Sequence, residues 1–160
     1  MAIWNLTYTK QPITQMFGNK LFIRWKDIYA NYGFAWHNGV DFGCKAGTVL
    51  LAWLDGVVTV DNTYKAWYGL SITIIKDRGE SGKSEIIYGH LSKTLVKTGD
   101  IVKTGQEIAL SGGNPWSPTS WTSTWSHLHF WLRFRDKYNK ILIIDNWYKG
   151  WINPLSFFAN

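Results

Sequence analysis

Residues 70–90 read LSITIIKDRGESGKSEIIYGH and are the clearest indication of the fold. Two runs rich in Ile, Thr and Tyr, 70–76 and 84–90, have the composition of β-strands, because branched and aromatic side chains suit the pleated surface. Between them, residues 77–83 contain Gly79 and Gly82, and glycine supplies the positive φ that tight turns need. The segment therefore predicts two antiparallel strands joined by a hairpin turn.

Similar runs recur on both sides of this hairpin, at intervals typical of antiparallel β-proteins. Short helices are predicted near residues 25–31 and 91–97. Residues 111–126, rich in Gly, Pro, Ser and Trp, are predicted to form a long loop. The further predicted strands are 40–42, 48–53, 56–62, 106–110, 127–135 and 140–144. We therefore expect a mostly β fold, a single antiparallel β-sheet domain with a few short helices and long loops.

Length and composition set the class of protein. A chain of 160 residues and 18.4 kDa is the size of one domain, so we expect residues 1–160 to fold as a unit. Its 46% hydrophobic and 18% charged residues exclude a disordered chain. The longest apolar run, 49–54, is far shorter than the roughly 20 residues of a membrane span, so none is predicted. Cys44 is the only cysteine, which excludes an intramolecular disulfide and a thiolate zinc cluster.

The charge and the tryptophans point to binding. A net charge of +6 favours an anionic partner, and charge alone does not choose between nucleic acid, acidic lipid and wall polymer. Because the basic residues are scattered and form no stripe, nucleic acid is not the expected partner. Eleven tryptophans are present, and three of them, Trp116, Trp121 and Trp125, lie in the long loop. These three could line a cleft and bind substrate, or they could pack the loop onto the sheet.

The four histidines lie in three short motifs: HNGVD at 37–41, YGHL at 88–91 and HLH at 127–129. Side chains alternate along a strand, so His127 and His129 point to the same face, and the same parity relates His37 to Asp41. Imidazole nitrogens and carboxylate oxygens are ligands of zinc, and a catalytic zinc commonly has three protein ligands. The spacing predicts a metal site and leaves open which histidines bind the metal.

These motifs also resemble those of the LytM and lysostaphin-like zinc metallopeptidases, peptidase family M23, which cleave peptides of peptidoglycan. The resemblance extends over nearly the whole chain, from ITQMFG at 13–18 to Asn153-Pro154. The other matching segments are HNGVDFG at 37–43, AGTV at 46–49, Ala52, DGVV at 55–58, YGHLS at 88–92, GDIV at 99–102, GQEI at 105–108 and HLHF at 127–130. The order and spacing of so many segments make the match specific.

The resemblance implies one zinc ion per chain, bound by His37, Asp41 and His129. It implies that His90 and His127 are the catalytic histidines, and it leaves open which of them is the general base. The chain departs from the family pattern at Trp131, where Glu is common after HLHF, and in its longer, Trp-rich loop. Neither departure removes a catalytic group.

We therefore expect a zinc-dependent endopeptidase that hydrolyses peptide bonds in the stem peptide or cross-bridge of bacterial peptidoglycan. Anionic wall polymers are expected to attract it through its charge, and it is expected to be a monomer. The alternative is an inactive relative that binds the wall or activates an amidase, which retention of all five site residues disfavours. Because no signal peptide is evident, we expect a phage-encoded lysin or an excised domain of a secreted protein, acting outside the cell at the wall.

Overall fold

The computed structural model describes residues 11–20, 26–62, 68–114, 123, 125–143 and 146–157. Within these residues most regular structure is strand, which confirms the mostly β prediction. The helix α1 is Lys26–Asn31, and two 3₁₀ turns are Gly79–Ser81 and Pro154–Phe157. The strands are β1 (Ile13–Gln15), β2 (Val40–Phe42), β3 (Val49–Leu51), β4 (Gly56–Asp61), β5 (Ser71–Asp77), β6 (Lys83–Gly89), β7 (Leu91–Thr94), β8 (Ile101–Val102), β9 (Glu107–Ser111), β10 (Leu128–Arg135) and β11 (Trp151–Ile152). None of the helices described is long and apolar enough to cross a membrane.

Two antiparallel sheets account for all of these strands. Eight of them form the large sheet, in the order β1-β2-β10-β6-β5-β4-β8, with β11 pairing to β10. The small sheet has the order β3-β9-β7. The chain passes from the large sheet to the small one at His90, between β6 and β7, and an isolated bridge joins Gly112 to His127 where it passes from β9 of the small sheet to β10 of the large one. Both of these histidines therefore lie at the junction of the two sheets.

Side-chain alternation along β10 separates the core from the site. Leu128, Phe130 and Leu132 are at most 1% exposed and belong to the main hydrophobic core. Trp131, on the opposite face, packs with Ile87 and Trp151 in a second, smaller cluster. Because His129 has the same parity as Trp131, its imidazole lies on the face away from the main core.

The hairpin at 70–90 forms as predicted, with β5 and β6 paired from Asp77↔Lys83 to Ile72↔Tyr88. The helix predicted at 91–97 is wrong, because Leu91–Thr94 is strand β7, paired to β9. Leu91 is completely buried in the main core, and the edge of β9 is available to this short segment. Tertiary pairing thus decides the conformation of a segment whose own pattern is ambiguous.

The strand predicted at 140–144 is also wrong within the described part of the chain. Ile141 forms only an isolated bridge to Arg135, and residue 144 lies outside the described residues. The predicted helix near 25–31 agrees with α1 over the residues described. The strands β1, β8 and β11 are not among the predicted ones, because two or three residues are too few to show an alternating pattern.

Candidate functional site

Three buried side chains from two strands and the preceding turn meet above the large sheet. His37 Nε2 lies 3.2 Å from Asp41 Oδ1 and 3.1 Å from His129 Nδ1, and the last two atoms are 2.7 Å apart. All three residues are at most 3% exposed. Asp41 on β2 is the cross-strand partner of His129 on β10, which is why residues 88 positions apart in sequence come together.

The hydrogen bond at the far side of His37 fixes the direction of its lone pair. Its Nδ1 lies 3.0 Å from the carbonyl oxygen of Met16. A carbonyl can only accept, so the proton is on Nδ1 and the lone pair is on Nε2. That lone pair points towards Asp41 and His129, an arrangement typical of metal-binding histidines whose second nitrogen donates to a backbone carbonyl.

The donor set fits a metal ion with nitrogen and oxygen ligands. Two imidazole nitrogens and a carboxylate oxygen are the ligand types of catalytic zinc sites, with three protein ligands and one open position. The three atoms form a triangle with edges of 2.7–3.2 Å. Tetrahedral coordination with zinc–ligand bonds of about 2.0–2.1 Å needs edges of about 3.3 Å, so small outward movements would accommodate the ion.

The electrostatics of the cluster favour a cation. Burial alone would raise the pKa of the Asp41 carboxyl, but His37, His127 and His129 outweigh it and hold that pKa well below its usual value. Burial lowers the pKa of His129 to about 4, which keeps this imidazole neutral near pH 7. An ionised Asp41 carboxylate beside a neutral His129 imidazole is the charge state that a metal ion requires of these two ligands.

Two further histidines stand beside this cluster. The His90 ring centroid is 4.7 Å from that of His127 and 6.0 Å from that of His129. His127 Nε2 is 3.7 Å from Asp41 Oδ2. His90 has a positive φ of 56°, a conformation in which His is enriched among non-glycine residues, and it turns the chain from one sheet to the other. The structure therefore brings all five predicted histidine and aspartate side chains together.

A second group of donor atoms overlaps the first. His90, His127 and His129 also offer three nitrogens within 4.8 Å of one another, as His37, Asp41 and His129 offer three donor atoms. His129 belongs to both groups. The geometry alone therefore permits two three-ligand sites, and the chemistry of the ligands separates them, because only the first includes a carboxylate.

The end of the long loop reaches His127. The Nδ1 of this histidine donates to the carbonyl of Trp125 over 2.8 Å, so the Nε2 lone pair faces the cluster of His37, Asp41 and His129. The Trp125 ring lies 5.9 Å from the His127 ring and is half-buried. Trp116 and Trp121, predicted with Trp125 to contact substrate, lie outside the described residues, and the predicted binding role of all three stays a prediction.

Residues before and within α1 support the cluster in ways that the sequence motifs do not indicate. Gln15 is the strand partner of Asp41, and its buried side-chain amide donates to the hydroxyl of Tyr29 over 3.2 Å. Burial, and secondarily Asp41, raises the pKa of Tyr29, so this hydroxyl stays protonated. The Tyr29 ring centroid is 5.9 Å from that of His37. The only sequence signal for Gln15 and Met16 is their place in the ITQMFG segment, which matches the family without a stated role.

Comparison with known proteins gives an independent result. Residues 35–141 match the profile of "Peptidase family M23". A metalloprotease of Haemophilus influenzae, otherwise uncharacterized, is 38% identical over 94 residues, 59% of this chain and 18% of its own length. Glycyl-glycine endopeptidase ALE-1 of Staphylococcus capitis is 37% identical over 94 residues, 59% of this chain and 24% of its own length. Peptidoglycan DD-endopeptidase ShyB of Vibrio cholerae is 34% identical over 101 residues, 63% and 21% of the two chains. The chain thus matches about a fifth of the length of these curated relatives.

Solved structures show the same architecture. The catalytic domain of lysostaphin from Staphylococcus simulans superposes with a TM-score of 0.67 at 27% identity, covering 94% of this chain and 93% of that domain. A zinc-containing peptidase from Vibrio cholerae superposes with a TM-score of 0.60 at 29% identity, covering 82% of this chain and 35% of the other. The similarity therefore includes the fold around the cluster as well as the sequence motifs.

Proposed function

Because the chain belongs to peptidase family M23, we propose that it is a zinc-dependent endopeptidase that hydrolyses peptide bonds of bacterial peptidoglycan. Residues 1–160 are taken as one peptidase domain. The observation that carries the proposal is the convergence of His37, Asp41 and His129 within 3.2 Å, with His90 and His127 beside them. Five buried ionisable groups around one point favour a functional site, because groups with perturbed pKa values cluster at such sites.

In this proposal His37, Asp41 and His129 hold the zinc ion, one per chain. A zinc ion at such a site polarises a peptide carbonyl and lowers the pKa of water towards about 7. Asp41 supplies the negative charge of the ligand set, and the hydrogen bond from His37 Nδ1 to Met16 keeps the Nε2 lone pair directed inwards. Three protein ligands would leave the ion accessible to substrate and water.

His127 and His90 divide the catalytic work: one transfers the proton and the other stabilises the oxyanion. His127 Nε2 has a lone pair on the cluster side, so it can accept a proton and then return it to the leaving amine. His90, with its ring 4.7 Å away, can donate a hydrogen bond to the developing oxyanion. The reverse assignment uses the same atoms, and the tautomer of His127 favours the first.

The substrate bond is proposed by class. Relatives are named as a glycyl-glycine endopeptidase and as a peptidoglycan DD-endopeptidase, which supports a cross-bridge or stem-peptide amide. Trp116, Trp121 and Trp125 are proposed to border the cleft. A net charge of +6 would attract the protein to anionic wall polymers outside the cell, and salt would weaken the attraction. A phage lysin and a secreted hydrolase would both act on this substrate.

The test separates metal binding from proton transfer. The His127→Ala variant is expected to retain one zinc per chain and to lose at least about 100-fold in peptide cleavage, because general acid–base catalysis contributes about that much. Asp41→Ala is expected to lose both zinc and activity. Zinc content by atomic absorption and hydrolysis of a purified cross-linked muropeptide are the measurements. A zinc-free His127→Ala protein would contradict the assignment, and a wild type that binds zinc but cleaves no wall would support the inactive, wall-binding alternative.

A further inference from the structure

A buried serine of the long loop, outside the predicted site, lies beside His127. Ser123 is 7% exposed, and its Oγ donates towards the carbonyls of Gly113 at 2.6 Å and Trp125 at 2.8 Å. The same Oγ lies 3.4 Å from His127 Nδ1. The hydroxyl therefore contacts both ends of the loop and the imidazole that the loop adjoins.

These contacts determine which atoms face His127 Nδ1. A serine hydroxyl has one hydrogen, and here the hydroxyl donates it towards the carbonyl oxygens of Gly113 and Trp125. The Oγ lone pairs are then left for Nδ1, which also has the Trp125 carbonyl at 2.8 Å. Among the described residues, both groups within hydrogen-bond distance of Nδ1 act as acceptors, which places the proton of a neutral imidazole on Nδ1.

We propose that Ser123 is a positioning residue that fixes the tautomer of His127. It bridges two carbonyl oxygens and so holds the Trp125 carbonyl against Nδ1. Without the hydroxyl, nothing would link the Trp125 carbonyl to that of Gly113 through Oγ, and its position against His127 would depend on the imidazole alone. The imidazole could then carry its proton on Nε2, the nitrogen that faces His37, Asp41 and His129.

The packing around Gly113 limits how this arrangement could be replaced. Gly113 has a φ of +78°, and a Cβ at this position would lie 2.7 Å from both the backbone nitrogen of His127 and the carbonyl oxygen of Trp125. The backbone segments are therefore in close contact here. A tautomer requirement on His127 gives this arrangement a chemical purpose beyond closing the loop.

The inference rests on the proposed function for its effect on catalysis, and its structural part can be measured without activity. The chain has four histidines, so selective ¹⁵N labelling of histidine gives a spectrum with few signals. Their nitrogen shifts distinguish a protonated from an unprotonated ring nitrogen. In the zinc-loaded wild type, His127, assigned with a His127→Gln variant, is expected to be protonated at Nδ1 only.

The Ser123→Ala variant is expected to show a mixture of the two His127 tautomers. With zinc still bound, kcat for muropeptide cleavage is expected to fall about 10- to 100-fold, as for other residues that orient a site, with KM within about twofold. Ser84→Ala removes another buried hydroxyl, on β6, and is the matched control expected to change neither quantity. If Ser123→Ala does not fold, Ser123→Cys, which retains the size but only a weak donor, is expected to shift the tautomers in the same direction.

A Ser123→Ala or Ser123→Cys spectrum with Nδ1 still fully protonated would overturn the proposal, whatever the activity. A wild type with no peptidase activity but a Ser123-dependent tautomer would refute the proposed function and support this inference. The two proposals can therefore fail separately.

Discussion

At the scale of single residues, His129 lies close to the backbone of the HNGVD motif, and this explains why residue 39 is glycine. A Cβ at Gly39 would lie 2.6 Å from His129 Nε2 and 2.7 Å from the Phe130 carbonyl. Gly39→Ala is therefore expected to displace the imidazole, lower zinc affinity about 10- to 100-fold and cost about 1–3 kcal/mol of stability. Competition with a chromophoric chelator measures the affinity.

The matched control for this substitution is Gly47→Ala. Gly47 has a φ of +87°, and a Cβ added there would meet no described atom within 4 Å, so alanine adds backbone strain without touching the site. This variant is expected to lose stability and keep zinc affinity. Equal zinc affinities for Gly39→Ala and wild type would show that His129 does not need its present position.

Residue types and spacing are sufficient to select His37, Asp41, His90, His127 and His129, and the structure brings these together. The sequence does not single out Ser123 or the Met16 carbonyl. Serine and backbone carbonyls are present throughout the chain, and only the folded structure shows which of them face an imidazole nitrogen.

At the scale of elements, an ion cluster joins β6 to β10 on the face that carries His129. The Glu85 carboxylate accepts from Arg133 Nε and Nη2 at 2.8 and 2.7 Å and from Arg135 Nε at 2.5 Å. Glu85→Gln would leave two partly buried guanidinium groups without their counter-ion and is expected to cost about 3 kcal/mol of unfolding free energy at pH 7. Glu80→Gln is the control. The Glu80 side chain pairs with Lys137 and is 88% exposed, so this substitution is expected to cost less than about 1 kcal/mol.

The cluster also predicts a pH dependence. Burial would raise the pKa of Glu85, but the two arginines outweigh it and hold the pKa below its ordinary 4.5. A folded-state pKa below the unfolded one stabilises the protein above pH 4.5, and this contribution is lost as the pH falls through the folded pKa. Urea unfolding of wild type and Glu85→Gln should therefore differ most well above pH 4.5 and converge as the pH falls through the folded-state pKa of Glu85. A difference that grows on acidification would contradict this sign.

The sequence predicts elements where the pattern is long enough to be distinctive. The hairpin of β5 and β6 has strand-forming composition and turn glycines, so local rules suffice. Residues 91–94 are too few to show a strand period, and their partner β9 is distant in sequence, which is why a helix prediction fails there. The packing of the end of the long loop against His127 likewise depends on contacts that no local pattern encodes.

At the scale of the whole molecule, the metal should contribute to stability. A ligand that binds only the folded state, at about 1,000 times its dissociation constant, adds about 4 kcal/mol, so zinc is expected to raise the melting temperature and chelation to lower it. The two overlapping donor groups make different predictions here. His37→Ala should abolish the zinc-dependent increase and His90→Ala should retain it, as measured by scanning calorimetry. The opposite pattern would assign the metal to His90, His127 and His129.

The most direct test of the central claim is mass spectrometry of the soluble fragments released from purified peptidoglycan of several bacterial species. The zinc-loaded protein and its His127→Ala variant are incubated in parallel with each wall. We predict new amino and carboxyl termini in a stem peptide or cross-bridge with the wild type only, and these termini identify the bond. Identical fragments from both proteins, or cleavage only between sugars, would contradict a zinc endopeptidase at this site.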